Sequence, residues 1–209
     1  MLTIAGATVA TAPDAGRADA LARALDRLAP EERTAPSALG EHVVLEEVLG
    51  PARLAYLPSQ HRPVVPLDAA GELVAVPARS APVAALLDAC PAEDVAESGV
   101  RDLDSPAFVL AVDGRPVAVA GYERWPSGVA HLCVLTRPGA RGARRARAVA
   151  AAAAAHALDA GLLPQWRARP EASVRLARAL GFVVLGQQLS VRTGREQHRA
   201  GRDGRPPGA

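Results

Sequence analysis

The sequence contains no lysine and no asparagine, and it is poor in aromatic residues, cysteine and methionine. All 24 basic residues are therefore arginine, which together with abundant alanine, glycine and proline is typical of GC-rich coding bias. Because of that bias, the number of arginines alone is not evidence for a nucleic-acid-binding protein. With aromatic residues at 3%, the core has to be built from alanine, valine and leucine.

Cysteine is too scarce for a disulfide framework. The two cysteines, Cys90 and Cys133, stand in apolar surroundings, which favours reduced and buried thiols. No spacing of cysteine and histidine in the chain resembles a metal site. The sequence therefore predicts a protein without a structural or catalytic metal.

Targeting and membrane segments are not evident either. The first 16 residues, MLTIAGATVATAPDAG, lack the basic start and the sustained apolar stretch of a signal peptide. A membrane-spanning helix needs about 18 or more apolar residues, and the alanine run at 148–155 is only weakly hydrophobic and follows an arginine cluster. We expect a soluble cytoplasmic protein with no membrane partner.

Charge is distributed unevenly over the 209 residues, a length that can bury its own core as one domain or one domain with an extension. Residues 1–100 carry 7 arginines against 14 acidic residues, net −7, and residues 101–209 carry 17 against 8, net +9. The basic half indicates an anionic ligand. Mutual neutralisation of the two halves explains the asymmetry equally well.

The first 70 residues predict a helix at about 17–28 and two short strands, 41–50 and 52–57, separated by Gly50-Pro51. Proline-rich sequence at 61–71 is the predicted domain boundary. Residues 1–70 contain no motif that indicates a chemistry.

From Glu72 the pattern is more regular and predicts one strand, two helices, three antiparallel strands, and then helix, strand, helix and strand. Pro164 places the strand at 162–168 on an edge or at a bulge. The Gly-, Pro- and Arg-rich tail at 193–209 is predicted to be disordered. In order, the predicted elements cover 72–77, 81–90, 91–99, 107–112, 115–122, 129–136, the helix that ends at Gly161, 162–168, 171–180 and 182–192.

Two segments in this order carry a resemblance: VLTRPGARGARRA (134–146) between a strand and a helix, and SVRLARALGF (173–182) on the later helix. Over about residues 72–192 the chain resembles the GNAT superfamily of acetyl-CoA-dependent N-acetyltransferases. The resemblance implies an α+β fold, with a twisted, largely antiparallel sheet and helices on both faces. It assigns residues 71–192 to that domain, 1–70 to an N-terminal extension of unknown role and 193–209 to the tail.

The first segment is a candidate pyrophosphate loop. Unpaired N–H groups and the positive end of the helix dipole favour an anion there, and glycines let the backbone approach it. The arginines that crowd this helix start are unfavourable without an anion. The family loop reads Arg or Gln, two residues, Gly, one residue, then Gly or Ala. This pattern maps onto Arg141, Gly142, Ala143, Arg144, Arg145 and Ala146, so that Arg144 replaces the central glycine. An alignment of the same pattern that starts at Arg137 is the alternative.

The resemblance implies further contacts to the coenzyme. Backbone groups of Val134, Leu135 and Thr136 would face its pantetheine arm. Ser173 on the later helix would hydrogen-bond the coenzyme, with a serine that only belongs to the first turn of the helix as the alternative. The family's asparagine near the start of that helix is Pro170 here. Its tyrosine, which protonates the departing thiolate, is Ala177.

Direct acetyl transfer needs a base for the ammonium proton and polarisation of the thioester carbonyl. Glu123 and His131 are the candidate bases, although a core role for His131 and a surface ion pair for Glu123 are alternatives. Tyr122 and Trp166 are predicted to pack in the core. His156 is predicted to be structural, and Cys133 is predicted to be inert because no histidine accompanies it.

The sequence therefore predicts an N-acetyltransferase that moves an acetyl group from acetyl-CoA to a small-molecule or protein amine. A homodimer is compatible with the sequence. A non-catalytic acyl-CoA-binding or regulatory module is the alternative, because the loop glycine and the tyrosine are replaced. A nucleic-acid partner is disfavoured, since the arginine cluster lacks interleaved aromatic residues and a recognised binding motif.

Overall fold

The computed structural model describes residues 1–66, 70–142 and 144–194, and from Glu72 onward its elements follow the predicted order. In chain order the helices and strands are β1 Leu2–Ile4, β2 Ala7–Val9, α1 Ala15–Leu25, α2 Pro36–Gly40, β3 Leu45–Tyr56, β4 Glu72–Val76, α3 Ala81–Asp88, α4 Ala92–Ser98, β5 Ala107–Val112, β6 Arg115–Trp125, β7 Val129–Thr136, α5 Arg145–Asp159, β8 Leu163–Ala168, α6 Glu171–Ala179 and β9 Val183–Thr193.

The chain divides into two compact units, one of Met1–Pro51 with the residues from Gln187, and one of Ala52–Gly186. Strands β3 and β9 contribute residues to both units. The domain assignment with a boundary at residue 71, and the role of residues 1–70, stay predictions. The predicted tail lies outside the described residues beyond Gly194.

The first unit has a small leucine-rich core beneath short strands. β1 and β2 form an antiparallel hairpin, and α1 is capped by Asp14, whose Oδ1 accepts a hydrogen bond from the Arg17 N–H at 2.8 Å. The buried residues of this core are Leu21, Ala24, Leu28, Leu39 and Leu189. The sequence did not predict β1, β2 or α2, because elements of three to five residues give too short a periodicity to detect.

The second unit is built on a sheet in which the strands lie in the order β3-β8-β7-β6-β5-β4. The pairs β4/β5, β5/β6, β6/β7 and β3/β8 are antiparallel, and β7/β8 is parallel. The fold is therefore α+β with a largely antiparallel sheet, as predicted.

Helices cover both faces of this sheet because its central strands are apolar on both sides. In β7, Ala130 and Leu132 belong to the core under α5 and α6, whereas Cys133 and Leu135 belong to the core under α3 and α4. Alternate residues of a strand point to opposite faces, so one strand serves two cores. The predicted helices on both faces are confirmed.

Helix α5 is built almost entirely from alanine because it packs closely on the sheet. Its buried residues are Ala148, Val149, Ala150, Ala151, Ala153, Ala154 and Ala157. Such small side chains let the helix backbone approach β5, β6, β7 and β8, with which it is in contact. A helix that is apolar on nearly all sides is an interior helix.

We expect Ala154→Leu to lower the free energy of unfolding by about 1–3 kcal/mol, because a fully buried alanine leaves no room for three more carbons. Ala155→Leu, at a half-buried position of the same helix, is the matched control and should cost much less. Urea unfolding of both variants measures the difference. Equal losses would contradict the tight packing of α5.

Two details of the strand prediction were wrong. β3 continues through Gly50-Pro51 as one strand. Its pairing with β8 begins only at Arg53, so that a proline at 51 removes no donor from the β3/β8 ladder. β8 is not an edge strand of the second unit, since it lies between β3 and β7. Its Pro164 still accepts a hydrogen bond from the Leu57 N–H at 3.0 Å.

Among the described residues, no helix combines the length and the apolar character that crossing a membrane requires.

Candidate active site

A gap between β7 and β8 is the centre of the site. The two strands pair in parallel at three positions, of which the last joins His131 to Gln165. Beyond these, residues 132–136 pair with β6, and residues 166–168 pair with β3. The strands therefore part after His131 and Gln165, and backbone groups of β7 border the gap.

The loop after β7 closes one end of this gap. A short turn, Pro138–Ala140, leads into Gly142 with φ of 83° and Arg144 with φ of 56°, and α5 begins at Arg145. Both positive angles lie in the left-handed region, which glycine adopts without strain. Arg144, which stands where the family motif has glycine, thus adopts a backbone conformation that glycine favours. Ala143 lies outside the described residues.

The N-terminus of α5 carries no side-chain cap and no acidic residue in its first turn. Its first N–H groups, at Arg145, Ala146 and Arg147, are the ones a helix leaves without intrahelical partners. An anion is favoured at such an end by these donors and by the helix dipole.

Arginines and two buried polar atoms surround the loop. Arg141 pairs with Asp94 of α4, with 2.7 Å between Nη2 and Oδ2. Arg145 reaches the carbonyl oxygen of Ala140 at 3.5 Å. Among the described residues, Thr136 Oγ1 and Arg147 Nε are buried without a hydrogen-bond partner. Because such atoms cost free energy when unsatisfied, they fit a site that is completed by a polar ligand.

We expect Arg144→Gly to keep or raise the free energy of unfolding, because it removes a left-handed non-glycine residue that costs about 1–2 kcal/mol. Arg137→Gly is the control: Arg137 has φ of −52°, so that glycine only adds freedom to the unfolded chain and should cost about 0.5–1 kcal/mol. Urea unfolding compares the two variants. If Arg144→Gly lost as much stability as Arg137→Gly, the loop would carry no backbone strain at 144.

Glu123 and His131 face each other across β6 and β7. They are directly paired in the antiparallel register, so that their side chains lie on the same face of the sheet. Glu123 Oε2 accepts a hydrogen bond from Trp125 Nε1 at 2.8 Å. The Trp125 ring stacks on the His131 ring with centroids 4.2 Å apart and an angle of 16°. The two candidate bases therefore form one cluster, which rests on an indole.

His131 is held on its other side by Gln165, with 2.9 Å between Nδ1 and Oε1. Burial lowers the pKa of His131, and the hydrogen bond to Gln165 opposes that effect. Arg167 lowers the pKa further, and Glu123 raises it. His131 is consequently neutral at neutral pH, the form in which an imidazole accepts a proton.

The remaining predicted coenzyme contacts border the same region. Leu135 is buried under α3 and α4, and Val134 packs against the α5 core, so that only their backbone groups are available to a ligand. The Ser173 hydroxyl accepts a hydrogen bond from Trp166 Nε1 at 2.9 Å and keeps its own proton to donate. Ala177, at the family's tyrosine position, is buried.

The residues predicted to have a structural role are packed or hydrogen-bonded inside the fold. Tyr122 and Trp166 are buried, and Tyr122 Oη shares a hydrogen bond with His156 Nδ1 at 2.9 Å. Burial raises the pKa of Cys133 to about 12, so that its thiol is not a nucleophile at neutral pH. Within the described residues, no cluster of His, Cys, Asp and Glu could hold a metal ion.

Three residues of the site escaped sequence reasoning: Tyr56, Trp125 and Gln165. Trp125 stands two residues after Glu123, which puts both side chains on one face of a strand. This spacing could have placed Trp125 beside the candidate base. Tyr56 and Gln165 gave no such signal. Their place beside His131 depends on the register of β3, β8 and β7, which no local pattern encodes.

Comparison with known proteins finds a similarity over the part of the chain that contains this site. A family model described as GNAT acetyltransferase matches residues 108–187. No curated protein matches the chain significantly.

Three solved structures share the fold. They are a protein assigned to the GNAT family of acetyltransferases from Novosphingobium aromaticivorans DSM 12444 (TM-score 0.50, 22% identity, 71% of this chain and 67% of that chain covered), an acetyltransferase from the GNAT family from Colwellia psychrerythraea (0.54, 12%, 76% and 61%) and a GCN5-related N-acetyltransferase from Kribbella flavida (0.51, 18%, 79% and 65%). The chain thus spans 61–67% of the length of these proteins. The resemblance inferred from the sequence is confirmed.

Proposed function

From the match of residues 108–187 to the GNAT acetyltransferase family model, we propose that the protein transfers an acetyl group from acetyl-CoA to a primary amine. The observation that carries the proposal is the arrangement around the gap between β7 and β8. A half-buried, neutral histidine stands where the strands part, and an acid-free, arginine-rich helix start stands at the other end of β7.

The loop fits the pyrophosphate of the coenzyme. The N–H groups of Arg145, Ala146 and Arg147 point out of the first turn of α5, and Arg141 and Arg144 add positive charge. The backbone of Val134, Leu135 and Thr136 borders the gap and would hold the pantetheine arm. When bound, acetyl-CoA supplies the activated acetyl group.

His131 would accept the proton of the acceptor ammonium at Nε2, because Gln165 already engages Nδ1. Glu123 would hold the ammonium through Oε1, while Trp125 engages Oε2. Glu123 would thus bind the amine, and the adjacent His131 would deprotonate it. Ser173 would donate its hydroxyl proton toward the coenzyme, since Ala177 offers no hydroxyl.

The second candidate is a module that binds acyl-CoA without catalysis, which Arg144 and Ala177 favour. Arg144→Gly tests whether the loop binds the coenzyme with the help of Arg144 or in spite of it. If Arg144 makes a charge-assisted contact to the pyrophosphate, its loss should weaken CoA binding about tenfold. If Arg144 obstructs the loop, affinity should rise sharply. Calorimetric titration with CoA measures the change.

Thermal unfolding tests the ligand class. Acetyl-CoA and CoA should each raise the melting temperature at low and at moderate salt. An oligonucleotide should do so at low salt at most, because non-specific phosphate contacts are lost as counterions compete. No shift with either coenzyme would contradict both the enzyme and the binding module.

Turnover then distinguishes these two. The enzyme should release CoA from acetyl-CoA faster when a panel of amino acids, diamines and peptides with free amino termini is added. Binding without amine-dependent release for any member of the panel would favour the module.

A further inference from the structure

A row of polar side chains crosses four strands beside the candidate base. From β6 to β3 it consists of Glu123, His131, Gln165 and Tyr56, each paired in register with the next. Gln165 is its buried member, with only 5% of the residue exposed. Its two amide atoms face different partners, the nitrogen on the side of Tyr56 and the oxygen on the side of His131.

The direction of the row follows from its donors and acceptors. Gln165 Nε2 donates to Tyr56 Oη at 3.2 Å, which leaves Gln165 Oε1 for the histidine, 2.9 Å from His131 Nδ1. A carbonyl oxygen can only accept, so that Nδ1 has to carry the proton. In neutral imidazole the other nitrogen, Nε2, then holds the free lone pair.

Two further contacts keep the ring in place. Trp125 stacks on the His131 ring with centroids 4.2 Å apart, and it is itself tied to Glu123 by its indole N–H. The charged groups around the imidazole are Glu123 on β6 and Arg167 on β8, and the titratable Tyr56 hydroxyl lies beyond Gln165 on β3. Neither Trp125 nor Arg167 offers an acceptor for Nδ1–H, and the hydrogen bond that Glu123 accepts comes from Trp125, not from the imidazole. The tautomer is therefore set by Gln165.

We propose that Gln165 is a positioning residue that holds His131 in the Nδ1–H tautomer and aims the lone pair of Nε2 at the substrate, with Tyr56 as the hydrogen-bond acceptor of the Gln165 amide nitrogen. The proposal about the tautomer stands on geometry. Its meaning for catalysis rests on the proposed acetyl transfer.

Nitrogen-15 NMR of histidine-labelled protein tests the tautomer without any substrate. The His131 signals are identified as those missing from His131→Gln. In the wild type Nδ1 should be protonated and Nε2 should not. In Gln165→Leu this preference should be lost, and in Tyr56→Phe it should weaken, because the amide can then turn over.

Kinetics adds a readout that a merely structural residue would not move. Gln165→Leu should lower kcat about 10- to 100-fold, the range for partners that orient a reacting group, with KM changed less than about twofold. Gln165→Glu still accepts from Nδ1–H and should restore kcat. Its added charge raises the pKa of His131, so that the acid limb of the rate profile should move to higher pH. Gln187→Leu, at an exposed glutamine of the first unit, is the control.

The outcomes separate this proposal from the proposed function. An Nδ1–H tautomer in the wild type that is lost in Gln165→Leu supports the positioning role even if no amine is acetylated, in which case only acetyl transfer is contradicted. A wild-type His131 protonated at Nε2, or a tautomer unchanged in Gln165→Leu, overturns the positioning role.

Discussion

Replacing His131 with alanine should lower kcat/KM for the acetylated amine about 10²- to 10⁴-fold, the contribution of a positioned general base. CoA affinity should change less than about twofold, because the imidazole lies on the face of the sheet that carries Glu123, not in the pyrophosphate loop. Steady-state kinetics and calorimetric titration measure the two effects separately.

His42→Ala is the matched control, since His42 is exposed and lies in the first unit. It should leave both parameters unchanged. His131→Gln, which retains a planar polar group over Trp125, should lose as much activity as His131→Ala. A His131→Ala variant that keeps its rate within about threefold of the wild type would show that another group takes the proton.

The pH dependence follows from the lowered pKa of His131. The neutral imidazole is the active form, so kcat/KM should stay constant from neutral pH down to about 6.5, the ordinary pKa, and fall below it. Stability changes in the same direction: the unfolded chain binds the proton more readily, so that stability is fully present above about pH 6.5 and is lost as pH falls through the folded-state pKa. His131→Gln should remove this contribution to both profiles.

The second large effect is expected at the start of α5. Ala146→Asp adds a carboxylate to a first turn that has no acidic residue. A carboxylate favours a free helix N-terminus by about 0.3–1 kcal/mol, so the free protein should become slightly more stable. At about 5 Å from a phosphate the same charge repels it by roughly 3 kcal/mol before screening, so CoA affinity should fall about 10- to 100-fold.

Ala15→Asp is the control, because Ala15 lies in the first turn of α1, in the first unit, as Ala146 lies in the first turn of α5. It should leave CoA binding unchanged. The opposite signs for stability and affinity make the test sharp, since a variant that merely misfolds loses both. Unchanged CoA affinity in Ala146→Asp would show that the pyrophosphate does not bind at the start of α5.

The order of elements from Glu72 could be read from the sequence because each has a strong local signal. The Asp113-Gly114 turn specifies the β5/β6 hairpin, and Gly99, Gly161 and Gly181 follow the helices that end there. Glu123 and His131 could be named as candidate bases for their chemistry. Their pairing could not be deduced, since it depends on the register of two strands.

Other features depend on tertiary structure. The sequence shows that Arg144 stands in place of a glycine, but only the backbone reveals that the residue takes φ of 56°, in the left-handed region that glycine favours. Gln165 is one of several glutamines in the chain and has no distinguishing neighbour. Its role arises because β8 lies between β3 and β7, whereas Pro164 had indicated an edge position or a bulge.

The most direct test of acetyl transfer is amine-dependent release of CoA from acetyl-CoA, followed with a thiol reagent while mass spectrometry detects the acetylated amine. The wild type should release one CoA for each acetyl group that appears on an amine of the panel, and His131→Ala should bind acetyl-CoA but release CoA no faster than the amine-free sample. Wild-type protein that binds acetyl-CoA yet acetylates none of these amines, or His131→Ala that acetylates them at the wild-type rate, would contradict a histidine-dependent acetyltransferase.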